Sequence, residues 1–127
     1  FVNIGLAPDG GASATVAARI GLTRATEMAM LGERIPARQA ADWGLINSVW
    51  ADDDFDAQVD ALLARLAAGP TRAHAAIKRQ LNAWMLRGFA DQLELEAVVQ
   101  NEMADSDDFV AGAMGFASGQ PATFTGR

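Results

Sequence analysis

Glycine and proline cut this chain into helix-sized pieces, and that punctuation constrains the fold more than any other feature. Gly21, Gly32, Gly44, Gly69-Pro70 and Gly88 each close a run of helix-compatible residues, the position at which a left-handed glycine ends a helix. The runs predict helices over Ser13 to Ile20, from the cap Thr23 to Leu31, and over Ala37 to Trp43 behind Pro36. A longer one follows Asp52-Asp53-Asp54, with Phe55, Val59, Leu62, Leu63 and Leu66 along one face. The next follows Pro70-Thr71 and carries Ala75, Ile77, Leu81, Trp84 and Met85; another starts at Phe89; the last follows the cap Ser106 and carries Phe109, Val110, Met114 and Phe116. Only Phe1 to Ile4 and Leu45 to Trp50 read as strands. Two short, separated strands do not make a sheet that is stable in water. The expected fold class is therefore mainly α, with partner strands lying upstream of Phe1. An opening on Phe-Val-Asn-Ile-Gly rather than Met points the same way, to a piece of a longer chain.

Composition narrows the function classes. With 127 residues and 50% hydrophobic content the chain fits one globular domain. Ten basic residues against 16 acidic ones, with no basic face, argue against nucleic acid or an anionic membrane as partner. The absence of cysteine excludes disulfides, thiolate metal sites and a cysteine nucleophile, and a cytoplasmic setting is expected. No apolar run approaches the roughly 20 residues that cross a bilayer.

Candidate chemistry is sparse. His74 is the single histidine and reads as a helix-face residue beside Arg72 and Lys78. Asp52, Asp54 and Asp56 lack the central glycine and distal glutamate of a calcium loop, and suit a helix N-terminus instead. No serine lies in a nucleophile elbow. Gly10-Gly11 before a helix offers backbone amides to a phosphate, without P-loop or dinucleotide spacing. Asp9, in the turn Pro8-Asp9-Gly10-Gly11, is the one acid in a glycine turn directly before a helix.

Three segments carry a resemblance: Phe1-Val2-Asn3-Ile4-Gly5-Leu6-Ala7-Pro8-Asp9-Gly10-Gly11, then Ala25 to Ile35 (ATEMAMLGERI), then Ala40 to Val49 (AADWGLINSV). Later pieces agree: Ala68-Gly69-Pro70-Thr71-Arg72, Leu93-Glu94-Leu95-Glu96, and the ending Phe124-Thr125-Gly126-Arg127. In order and spacing they resemble the second half of the crotonase superfamily, the enoyl-CoA hydratase/isomerase proteins, over the whole chain.

The resemblance implies the C-terminal half of an α/β crotonase-type spiral fold. Residues 1–50 would end the core and hold the acid/base turn; residues 51–127 would cover the acyl-CoA pocket and mediate trimers or hexamers. It implies an enzyme acting on acyl-CoA as substrate, with no separate cofactor, through an enolate whose oxygen is held by two backbone amides upstream of Phe1. Phe1 falls where typical hydratases carry a second glutamate, and a phenylalanine cannot activate water. Asp9 falls where an isomerase-like branch places its acidic base, with Pro8 and Gly10 as substrate-binding neighbours. Phe116 aligns with an aromatic near bound CoA, and Gly119-Gln120 stand where the family often has Lys-Arg. An isomerase is the leading expectation. An enoyl-CoA hydratase and a non-catalytic assembly module are the alternatives.

Overall fold

The computed structural model describes residues 1–127, all of them in helices, turns or irregular segments and none in a strand. A short 3-10 turn at Val2–Ile4 is followed by six helices: α1 (Ala12–Leu31), α2 (Ala37–Asp42), α3 (Asp52–Ala67), α4 (Thr71–Met85), α5 (Phe89–Ala104) and α6 (Asp107–Ser118). The helix starts and stops follow the glycines and caps. Ser106 accepts the Phe109 amide through Oγ at 3.1 Å, and Asp52, Asp53 and Asp54 fill the first turn of α3, where carboxylates meet the positive end of the helix. Within α1 the helical path breaks at Gly21 (φ 77, ψ 161), a conformation open to glycine and strained for other residues. The separate helices expected on either side of Gly21 are therefore the two halves of α1.

Both expected strands are corrected. Phe1 to Ile4 instead closes on itself, with the amides of Ile4 and Gly5 donating to the carbonyls of Phe1 and Val2 at 2.9 and 3.0 Å. Leu45 to Trp50 begins as the end of α2: Leu45 donates to the Ala40 carbonyl and Gly44 to that of Ala41, both at 2.9 Å. These 6→1 and 5→2 bonds form a Schellman motif. Local turns thus satisfy backbone groups that a sheet would have needed.

The chain forms two compact units, one of residues 1–35 with 88–127, the other of residues 36–87. Helices α5 and α6 return to the first 35 residues. In the second unit Trp50 and Phe55 meet edge to face at 6.1 Å, Arg87 stacks 4.5 Å above the Trp84 ring, and the His74 ring covers Gly69. His74 is half-buried by that packing.

The first unit is drawn together where α6 runs against the Val2–Ile4 turn. A Cβ on Gly112 would lie 2.5 Å from the Ile4 carbonyl carbon, so the two backbones touch. The irregular C-terminal tail is tied to the same helix. The Asp108 carboxylate accepts the amides of Thr125 and Gly126 at 2.6 and 2.9 Å, and the Asp108 amide donates to the Arg127 carbonyl at 3.0 Å. The Thr125 amide, foremost, holds the Asp108 carboxyl below its ordinary pKa.

Gly112→Ala is expected to lower stability by about 1–3 kcal/mol in urea denaturation, the usual cost of overpacking a tight contact.

Candidate active site

Two glycines in left-handed conformation, Gly10 (φ 63) and Gly11 (φ 82), turn the chain from Pro8-Asp9 into α1. Gly11 is buried under the Phe89 ring, and a Cβ there would lie 2.5 Å from that ring. Having no side chain, Gly11 leaves the first amides of α1 without a local cap.

The cap comes from α5. Glu96, 5% exposed, accepts the Gly11 amide at 2.6 Å through Oε2 and the Ser13 amide at 3.0 Å through Oε1, while the Ser13 hydroxyl also donates to Oε1. Burial pushes the Glu96 pKa up, but the Ser13 hydroxyl and the two amides together outweigh it and hold the carboxyl below its ordinary value. The helix end that could have received a phosphate at Gly10-Gly11 is thus filled by an internal carboxylate.

One helix face does the rest. Gln92, Glu96 and Gln100 are spaced four residues apart on α5 and so share a face. Gln92 Nε2 donates to the Ser13 hydroxyl at 2.8 Å, and Gln100 Nε2 donates to Asp9 Oδ2 at 3.0 Å. The turn therefore holds two carboxylates in different states of engagement. Glu96 is saturated by donors, whereas half-buried Asp9 accepts one hydrogen bond, through Oδ2.

A cavity of about 480 Å³ opens beside this turn, walled by Phe1, Val2, Pro8, Ala12, Val16 and Met28 among others. Its wall is mostly apolar, and Asp9 is not among the residues that form it. Pro8 lies in the wall, and Gly10 is exposed outside it. Phe116 is 82% exposed on α6 and is not brought to the cavity. Gly119 and Gln120 serve the backbone, because their amides close α6 on the carbonyls of Phe116 and Gly115 at 3.4 and 2.9 Å.

All 127 residues match the family model for enoyl-CoA hydratase/isomerase. The chain belongs to the enoyl-CoA hydratase/isomerase family. A probable enoyl-CoA hydratase of Rhodobacter capsulatus is 40% identical over all of this chain and 49% of its own length. A trans-2-decenoyl-[acyl-carrier-protein] isomerase of Streptococcus mutans is 32% identical over all of this chain and 48% of its length. The crystal structure of an enoyl-CoA hydratase from Mycobacterium avium subsp. paratuberculosis superposes with a TM-score of 0.95 at 46% identity, covering 98% of this chain and 51% of that one. The chain spans about half the length of the curated relatives it matches and corresponds to their C-terminal half. Its helices are thus the C-terminal part of a crotonase fold in this enzyme family.

Local sequence singles out Asp9 and Pro8 but gives no role to Gln92, Glu96, Gln100 or Ser13. The available signal is three polar residues at i, i+4 and i+8 among the apolar positions of α5.

Because the folded-state pKa of Glu96 is depressed, its contribution is present above the unfolded carboxylate pKa and lost as pH falls through the folded one. Glu96→Gln is expected to flatten that acid limb of a stability-against-pH curve and to cost about 1–3 kcal/mol at neutral pH in chemical denaturation.

Proposed function

We propose that the protein is an acyl-CoA isomerase in which Asp9 moves the proton. The observation that carries this reading is the half-buried Asp9 carboxylate, held through Oδ2 alone, in the turn whose neighbours Pro8 and Ala12 line an apolar cavity. On a 3-enoyl thioester, Asp9 takes a proton from C2, and the electron pair moves into the thioester as a dienolate. The same carboxyl returns the proton to C4 as the dienolate collapses, which leaves the double bond between C2 and C3 and Asp9 ionised again. The enolate oxygen requires two amide donors, and the reading assigns them to family motifs outside residues 1–127.

Phe1 in the cavity wall supports isomerisation over hydration, since the family resemblance aligns this apolar side chain with the second acid of a hydratase. The isomerase relative from Streptococcus mutans supports it as well. Hydration is the second reading, favoured by the higher identity to proteins named as hydratases. Pro8 and Gly10 are proposed to flank the acyl group and Phe116 to meet the CoA moiety. Trimeric or hexameric assembly in the cytoplasm completes the proposal, supported by apolar side chains left open, such as Leu81 at 60% and Trp84 at 67% exposure. No helix is long and apolar enough to cross a membrane.

Asp9→Asn in the complete protein is expected to lower kcat for a 3-enoyl-CoA by about 10²- to 10⁴-fold while substrate affinity changes little. Wild-type turnover in that variant contradicts the reading, and conversion of crotonyl-CoA to the 3-hydroxy product at a comparable rate favours hydration.

A further inference from the structure

Gln100 contacts the proposed base and nothing in the reaction as described uses it. Its Nε2 donates to Asp9 Oδ2 at 3.0 Å across 91 residues of sequence. Its Oε1 is buried and accepts no hydrogen bond. An orphaned buried carbonyl is uncommon and unfavourable, and helix α5 could have carried an apolar residue there at no such cost. The arrangement also fixes which way the amide faces. Turned over, the side chain would bring Oε1 against Oδ2, two acceptors with no proton between them.

We propose that Gln100 is the positioning residue for proton transfer by Asp9, in that it ties up Oδ2 and dedicates Oδ1 to the substrate. This rests on the assignment of Asp9 as the base. A carboxylate free at both oxygens rotates and offers either one. A carboxylate pinned through Oδ2 presents one oxygen from one direction, and a proton that leaves C2 and returns at C4 needs a carrier that stays in place between the two steps. The pin is itself held rigidly. Gln100 lies one turn beyond Glu96, whose carboxylate is locked to the Gly11 and Ser13 amides, so the α5 face and the Asp9 turn are fixed to each other one helical turn from the contact.

The test uses the complete protein, a 3-enoyl-CoA substrate, and three variants: Asp9→Asn, Gln100→Met and Gln100→Glu. Gln100→Met keeps the length of the side chain and removes the donor. It is expected to lower kcat by roughly 10- to 100-fold with KM within about twofold and the melting temperature unchanged. Gln100→Glu keeps the shape and replaces the donor by an acceptor at neutral pH. It is expected to lose as much activity there and to recover relative to Gln100→Met as pH falls, when a proton shared by the pair restores a donor toward Asp9. A purely structural role would lower the melting temperature or raise KM, and would not produce that recovery. Wild-type kcat in Gln100→Met, with Asp9→Asn inactive, overturns the role of Gln100 and leaves Asp9 as the base. Wild-type kcat in Asp9→Asn overturns the assignment of Asp9 itself. If Gln100→Met is poorly folded, Gln100→Glu decides: wild-type kcat at neutral pH overturns the role, and a pH-reversible loss supports it.

Discussion

The structure around Asp9 depends on one carboxylate placed on the start of a helix. Helix α1 begins at a buried glycine that has no side chain to cap it, and amides left unpaired there would be costly. Glu96 meets them from α5, more than eighty residues away in sequence. A buried carboxylate on its own is unfavourable. Supplied with two amides and a hydroxyl at the positive end of a helix, it is held below its ordinary pKa. Neither group is well placed without the other, and their union brings α5 to the turn that carries Asp9.

The same turn separates two acids by role. Glu96 is surrounded by donors and serves structure; Asp9 has one donor, from Gln100, and in the proposed reaction its other oxygen takes the proton. Identical functional groups gathered at one turn thus differ through the number of hydrogen bonds that each accepts. Around them, close backbone approach does what a large core does elsewhere. Gly112 lets α6 touch the Val2–Ile4 turn, and Asp108 fastens the last residues to that helix. The buried apolar residues are only Ile20 and Ala40, so hydrogen-bonded clamps and glycine contacts bear much of the burden of fixing the Asp9 turn.

Much of this is legible in the sequence. Helix boundaries follow from glycine and capping chemistry, which acts over a few residues, and Gly21, Gly32 and Ser106 stand out from local pattern alone. Asp9 is identifiable because a turn, an acid and a helix start coincide in four residues. The two segments that read as strands mislead because apolar, β-branched stretches are stabilised as strands only by a neighbour. Here Phe1 to Ile4 and Leu45-Ile46 spend their amides on local turns instead. Glu96 and Gln100 escape such a reading because their partners lie more than eighty residues away, and no short-range pattern reports which helix face meets which turn. Phe116 takes its proposed role from the family resemblance alone, and its side chain stands open on α6.

The central claim is that Glu96 organises the turn that presents Asp9. Amide hydrogen exchange on the complete protein tests it most directly, by comparing the wild type with Glu96→Leu at the Gly11 and Ser13 amides. The account predicts that protection at these two amides collapses while the amides of α6 keep theirs. Unchanged protection at Gly11 and Ser13 in the variant would contradict it.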